Sequence, residues 1–366
     1  MKKIFFTLAA SLAIFASCDQ HNDIQNPEQS QAPDQEQVET EKDVLTPISL
    51  KIGNPATRSS EASSYEQEIN TLQIMVFTQD VNGAEMYDSY YTFGSESEDY
   101  VIYIDPNRTD VSKYRFAAYV NQPELNDQTY MKDWALLSNE KTTSFQMYGE
   151  STYTADKLKT EKTANIIVSR QCSRIEVHEI AVDWTNSVNA RKEFKLKGIY
   201  LMDVPGVSEN HYDVDLSVSE NKNLWVNRNR YTPSNLDNLL YDRISDIEVK
   251  ETDSYKNSHY LYGYISGLTV YNEGEDWNND NWQPSGTRLV IEAEFDGSPC
   301  YYAIKLNELN TDKASVKNKI FIFTKITITK PGSEHPYSPL GTENPVTVSV
   351  TVDDWKPGFE GNYTVQ

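Results

Sequence analysis

Cysteine is scarce in this chain: its 366 residues hold three, Cys18, Cys172 and Cys300. Two cysteines beyond the first eighteen residues cannot make a disulfide framework, and a body of this length does not need one. In an oxidising compartment they could pair, and two separate buried thiols fit the sequence equally well. Histidine is as thin. His21, His178, His211, His259 and His335 show neither metal-ligand spacing nor a His-Glu-x-x-His pattern. No paired acid and base residues form a catalytic constellation, so the sequence predicts no enzyme: no catalytic residue, no metal ligand, no cofactor. Positive charge is in deficit, with 33 Lys and Arg against 55 Asp and Glu, a net −22. Removing residues 1 to 58 takes away 5 basic and 8 acidic residues and leaves 28 against 47, or −19. Such acidity favours solubility and opposes polyanions, which excludes nucleic acid as a partner.

Long apolar runs are missing too, with one short exception. After the positive pair Lys2-Lys3, the stretch Leu12-Ala13-Ile14-Phe15-Ala16-Ser17 runs into Cys18. Charge, apolar stretch and small residues make residues 1–17 a signal peptide, and a cysteine at the cut marks a lipoprotein signal, in which Cys18 is acylated and becomes the new N-terminus. An ordinary cleaved signal that happens to end at a cysteine is the plainer alternative. No later segment approaches the ~18 consecutive apolar residues of a transmembrane helix, so anchoring at a membrane falls to lipid, at about 0.8 kcal/mol per buried methylene. From Asp19 to Asp43 the chain is dense in Gln, Glu, Asp, Asn and Pro, with only Ile24 and Val38 as branched apolar residues. That composition buries no core and reads as a solvated tether.

What the chain has in plenty is period-two alternation and tyrosine, 24 of them. Both belong to pleated sheets. Strands are predicted at 72–77, 100–104, 115–120, 166–168, 175–177, 194–196, 289–293, 301–304 and 320–328. A short helix is predicted at Asn235 to Ile244, from the spacing of Leu236, Leu239, Leu240 and Ile244. The fold class is all-β. A mature body of about 308 residues exceeds one sandwich of ~100, so two tandem β-sandwich domains are expected, residues 59–163 and 164–366. The boundary falls in the polar stretch Thr152 to Thr163, beyond which Ile166-Ile167-Val168 opens a second set of strands.

Three segments stand apart. The run from Asp276 to Trp282 spaces oxygen ligands two residues apart, yet Asn281 and Thr287 hold the places where a calcium loop needs Gly and Glu. It reads as a polar loop with two tryptophans that either cover a local apolar edge or touch a sugar or a partner. Near the start, Ile48, Leu50 and Ile52 alternate with Ser49 and Lys51, and a loop of Pro, Ala and Ser around Arg58 and Ser59 follows. Flexible, small-residue segments with a lone arginine are where trypsin-like proteases cut; an ordinary first strand and loop is the alternative. At the far end, Val346, Val348, Val350 and Val352 alternate with hydroxyl residues and share one face. Their burial contributes roughly 6 to 12 kcal/mol as an upper bound, enough to hold a strand in a separate groove. A terminal strand pairing within its own domain fits the same pattern.

These pieces, in this order, resemble the type V pilus subunits, the fimbrillin family of Gram-negative bacteria. The likeness runs through Cys18, Arg58, the motif Ile167-Val168-Ser169-Arg170-Gln171-Cys172-Ser173-Arg174-Ile175-Glu176-Val177, then Val316-Lys317-Asn318-Lys319-Ile320-Phe321 with Ile326-Thr327-Ile328, and finally Val346 to Trp355. Where the family often has Arg-Asn-His-x-Tyr, this chain has Lys317-Asn318-Lys319-Ile320-Phe321, and Cys172 or Ser173 stands where Ala is usual. The resemblance implies two transthyretin-like sandwiches and a propeptide over residues 18–58. It implies a palmitate-bearing precursor in the outer membrane and an arginine-specific protease that cuts between Arg58 and Ser59. Loss of the strand Ile48–Leu50–Ile52 would then open a groove for the Val346–Val352 donor strand of a neighbour. The chain would thus partner copies of itself and other pilus subunits in an extracellular fimbrium. The alternatives are a tip adhesin of the same pilus and a glycan-binding surface lipoprotein.

Overall fold

The computed structural model describes residues 45–53, 66, 68–95, 99–124, 134–184, 192–209, 225–228, 230–251, 253–266, 286–306, 309, 316–337, 346–354 and 363–364. Cys18, Arg58, Ser59 and the loop from Gly274 to Trp282 lie outside them.

Alternation of branched and aromatic residues makes strands along the whole chain, and the all-β expectation holds. The first half carries β1 (Thr46–Gly53), β2 (Thr71–Gln79), β3 (Glu85–Gly94), β4 (Tyr100–Ile104), β5 (Lys113–Val120), β6 (Trp134–Leu136), β7 (Met147–Thr154), β8 (Thr163–Ile167) and β9 (Ser169–Arg170). The second half carries β10 (Ser173–Val182), β11 (Phe194–Met202), β12 (Val204–Pro205), β13 (Val207–Glu209), β14 (Trp225–Val226), β15 (Tyr241–Glu248), β16 (Ser254–Gly263), β17 (Arg288–Phe295), β18 (Ser298–Lys305), β19 (Lys319–Ile328), β20 (Val346–Asp354) and β21 (Tyr363–Thr364).

Two pairs of sheets enclose two apolar cores. In the first pair, a three-stranded sheet of order β4-β1-β8 faces a five-stranded sheet of order β3-β2-β5-β7-β9. Ile48, Ile102 and Ile166 from one meet Ile74, Phe116 and Met147 from the other. In the second pair, a sheet of order β16-β10-β19-β20-β21 faces one of order β15-β11-β17-β18. Between them Ile175, Phe321 and Phe323 pack with Leu196, Ile291 and Tyr302. The parallel neighbours β10 and β19 each carry a bulge, between Val177 and Glu179 and between Phe323 and Lys325. An extra residue flips the pleat, so Ile180 and Ile326 stay on the core side in step with Val177 and Phe323. All these strands belong to one compact unit, Val44–Gln366.

Two expectations shift. The polar stretch Thr152 to Thr163 folds as the end of β7 and a helix, α1 (Ala155–Glu161), capped by the Thr154 hydroxyl, which accepts from the Lys157 amide. Ile166-Ile167-Val168, expected to open the second set of strands, instead ends and follows β8, which pairs with β1, and Ala164, Ile166 and Val168 pack in the first core. Alternation reveals a strand but not its sheet. The helix predicted from Asn235 to Ile244 contracts to α2 (Asp237–Leu240), because Tyr241 and Ile244 are drawn into β15.

Candidate functional site

β1 begins at a proline-bearing dipeptide and alternates strictly: Ile48 and Leu50 are buried, Ile52 is half-buried against the same core, and Ser49 and Lys51 face outward. It is the central strand of its sheet. Its register with β4 is antiparallel, Thr46 opposite Ile104 and Leu50 opposite Tyr100; with β8 it is parallel, Ser49 opposite Thr163 and Gly53 opposite Ile167. The Ser49 amide donates to the Lys162 carbonyl at 3.0 Å, and the Gly53 carbonyl accepts from the Val168 amide at 2.9 Å. Among the described residues no other strand joins β4 to β8 within that sheet. The first strand of the described chain therefore plugs a slot one strand wide, with Ile48 and Leu50 supplying roughly 3 to 6 kcal/mol of apolar burial as an upper bound.

The next described residue after Gly53 is Glu66, and it is firmly held. Its side chain is 2% exposed and accepts from Arg174 Nη1 at 3.0 and 2.8 Å, and from the Tyr262 hydroxyl at 2.8 Å. Its carbonyl accepts from Arg170 Nε at 3.0 Å, and Arg174 also pairs with Glu176. Arg170 ends β9 while Arg174 and Tyr262 stand on β10 and β16, so Glu66 is moored where the first pair of sheets hands over to the second. Sequence reasoning singled out Arg170 and Arg174 only within a motif, and it missed Glu66, an isolated acid with no local pattern around it. Close by, burial pushes the Glu140 carboxyl up to about 8, against the opposing bonds from the Gln146 amide at 2.8 Å and the Tyr264 hydroxyl at 2.9 Å. Cys172 and Cys300 are free and buried, and burial raises both thiols, Cys172 most.

The second predicted device, the valine strand, is β20. It runs antiparallel to β19 with Val346 opposite Ile328, Val348 opposite Ile326, Val350 opposite Phe323 and Val352 opposite Phe321. Val346 is buried in the second core. On its other side, among the described residues, β20 meets the two-residue β21 at Ser349 and Val350. The structure thus seats both the N-terminal and the C-terminal candidate strands within this one chain, in different sheets.

Among the described residues no group of His, Cys, Asp and Glu is arranged to hold a metal ion, and no helix is long and apolar enough to cross a membrane.

This architecture has solved counterparts. A candidate cell adhesion protein from Parabacteroides distasonis is similar over 86% of this chain and 98% of its own, at 14% identity and a TM-score of 0.52. A fimbrilin from Porphyromonas gingivalis is similar over the same shares, 86% and 98%, at 13% identity and a TM-score of 0.52. A second Parabacteroides distasonis protein, also a candidate in cell adhesion, matches over 86% and 100%, at 18% identity and a TM-score of 0.51. No family model and no curated protein matches the chain. The fold is that of the fimbrilins and of these adhesion proteins.

Proposed function

We propose that the chain is a non-enzymatic subunit of a surface fimbrium, a member of the fimbrillin family, that assembles by exchanging strands. The observation that carries this reading is β1, an apolar strand in the middle of a three-stranded sheet, followed at once by the segment that holds Arg58. A cut after Arg58 leaves β1 bound by side-chain burial and hydrogen bonds alone. Its departure exposes the facing edges of β4 and β8 together with the core beneath, and free strand edges over apolar surface invite another strand. A donor from a neighbouring copy makes a heterologous contact that does not close, which builds a filament. In this reading Cys18 carries lipid in the outer membrane before processing, and the two sandwiches are the two domains of the mature subunit, which becomes extracellular.

The test is the fate of the precursor. Arg58→Ala should fold and stay monomeric, because a covalently attached β1 outcompetes any incoming strand by its effective concentration. Protein sheared from cells should begin at Ser59 by mass spectrometry. Filaments from uncut Arg58→Ala, seen by electron microscopy, refute the reading.

A second reading has one observation in its favour. β20 pairs along its whole length within its own sheet, as suits a subunit that accepts a strand and donates none, such as an adhesin at a pilus tip. Val348→Asp and Val350→Asp separate the two, since burying an unpaired carboxylate costs several kcal/mol. Blocked polymerisation with a folded monomer supports donation; an unfolded monomer makes β20 a strand of its own domain and favours the tip.

A further inference from the structure

The slot around β1 has walls that are braced from behind. On each flanking strand, one of the residues whose backbone points away from β1 is met by a tyrosine from the opposite sheet. On β4, the Tyr91 hydroxyl donates to the Tyr103 carbonyl at 2.5 Å and accepts from the Tyr103 amide at 3.2 Å. On β8, the Tyr153 hydroxyl donates to the Asn165 carbonyl at 3.0 Å and accepts from the Asn165 amide at 2.7 Å. A phenol carries one donor and an acceptor oxygen, so each ring end occupies both groups of one residue, as a neighbouring strand would. Tyr91 stands on β3 and Tyr153 on β7, and both rings pack on the apolar core, which fixes their reach. The arrangement is repeated on opposite sides of one sandwich.

Further ties run the same way. Just past β4, the Asp105 carbonyl accepts from the Tyr114 hydroxyl of β5 at 2.6 Å. Where β8 leaves its sheet it crosses β7 at Gly149, so closely that a Cβ there would stand 2.1 Å from the Ile167 carbonyl oxygen. None of these contacts involves β1. Removal of β1 breaks none of them directly, whereas it takes away the ladder that ties β4 to β8.

We propose that Tyr91 and Tyr153 are positioning residues that hold β4 and β8 one strand's width apart in the absence of β1, so that the emptied slot accepts a strand without having to be rebuilt. The proposal rests on the strand-exchange reading for its biological use. The same bonds occupy the outward backbone groups of Tyr103 and Asn165, which would otherwise be open to a strand arriving from outside the slot. Holding the walls in advance removes the ordering cost from the binding step.

The experiment uses the full chain with a site-specific protease sequence inserted between Arg58 and Ser59. The protein is cut, β1 is displaced in denaturant and removed, and the remainder is refolded and mixed with a synthetic peptide of residues 45–53, whose fit the structure shows. Tyr91→Phe and Tyr153→Phe should each slow or weaken rebinding about tenfold, the effect of losing two modest hydrogen bonds. The uncut variants should keep the native circular dichroism. Rebinding of the cut double variant at the unsubstituted rate overturns the proposal. Hydrogen exchange on the unsubstituted protein is the second measurement: the Tyr103 and Asn165 amides should stay protected after β1 is removed, and exchange at unfolded-peptide rates overturns it equally. The same cut protein is also offered a peptide of residues 346–354. Binding of the first peptide without the second leaves the tyrosine brace standing and overturns donation by β20.

Discussion

Pro47 of β1 lies directly opposite Tyr103 of β4, and the pair needs no hydrogen bond between them. Tyr103 turns its amide and carbonyl toward the Tyr91 hydroxyl, and proline has no amide to offer. A residue that interrupts most central strands is accommodated here because its position in the ladder asks nothing of it on that side.

The two buried side chains of β1 give a first prediction. Leu50→Ala should destabilise the uncut protein by about 2 to 5 kcal/mol, the range for emptying a core site, and Ser49→Ala on the outer face by less than about 0.5 kcal/mol. Denaturant unfolding monitored by circular dichroism is the check. Equal small effects would place β1 outside the core.

The mooring of Glu66 gives a second. Glu66→Ala takes one carboxylate partner from the buried Arg174, leaving Glu176 among the described residues, and should cost about 3 to 5 kcal/mol. Replacing the pair together, Glu66→Gln with Arg174→Met, should recover much of that loss. A double variant no more stable than Glu66→Ala would show that the pair is worth little beyond its parts.

Glu140 makes stability depend on pH in a defined direction. Its carboxyl sits at about 8 in the fold against 4.5 for the free group, raised by burial. The folded state therefore holds a proton that the unfolded chain has released, and this contribution is complete below about pH 4.5 and fades as pH rises through about 8. Unfolding midpoints measured across that window should fall with pH, and Glu140→Gln should flatten the slope. An unchanged slope in the variant counts against the assignment.

Acylation at Cys18 is tested apart from the fold. With Cys18→Ala, metabolic labelling by a fatty-acid analogue should disappear and the uncut precursor should accumulate in soluble form. Equal labelling of variant and parent would remove the lipid anchor from the account.

Much of this was legible in the chain and some was not, for physical reasons. The strict alternation at Ile48, Leu50 and Ile52 predicts a strand with one buried face, and that is what β1 is. Its partners could not be read, because β4 and β8 lie about fifty and over a hundred residues on, and pairing is non-local. Ile166 and Val168 were legible as apolar strand residues while their core was not. The jump in parity from Phe321 and Phe323 to Ile326 and Ile328 carried the signature of a bulge within one strand. β3 was overlooked although Tyr87, Ser89, Tyr91 and Phe93 alternate: an edge strand with polar residues between aromatics looks like loop when hydrophobicity alone is followed. The brace at Tyr91 went unseen with it. Glu66 lacks any local signal, since its importance comes from residues more than a hundred positions away.

The two walls of the β1 slot differ in sense, one antiparallel and one parallel. A segment entering the wrong way round would face each wall with the other's hydrogen-bond pattern, out of step with groups that are already fixed. The slot consequently distinguishes the leading end of a strand from its trailing end. Any series of copies joined through it has every member pointing the same way, so its two tips are chemically unlike and growth at one is a different event from growth at the other.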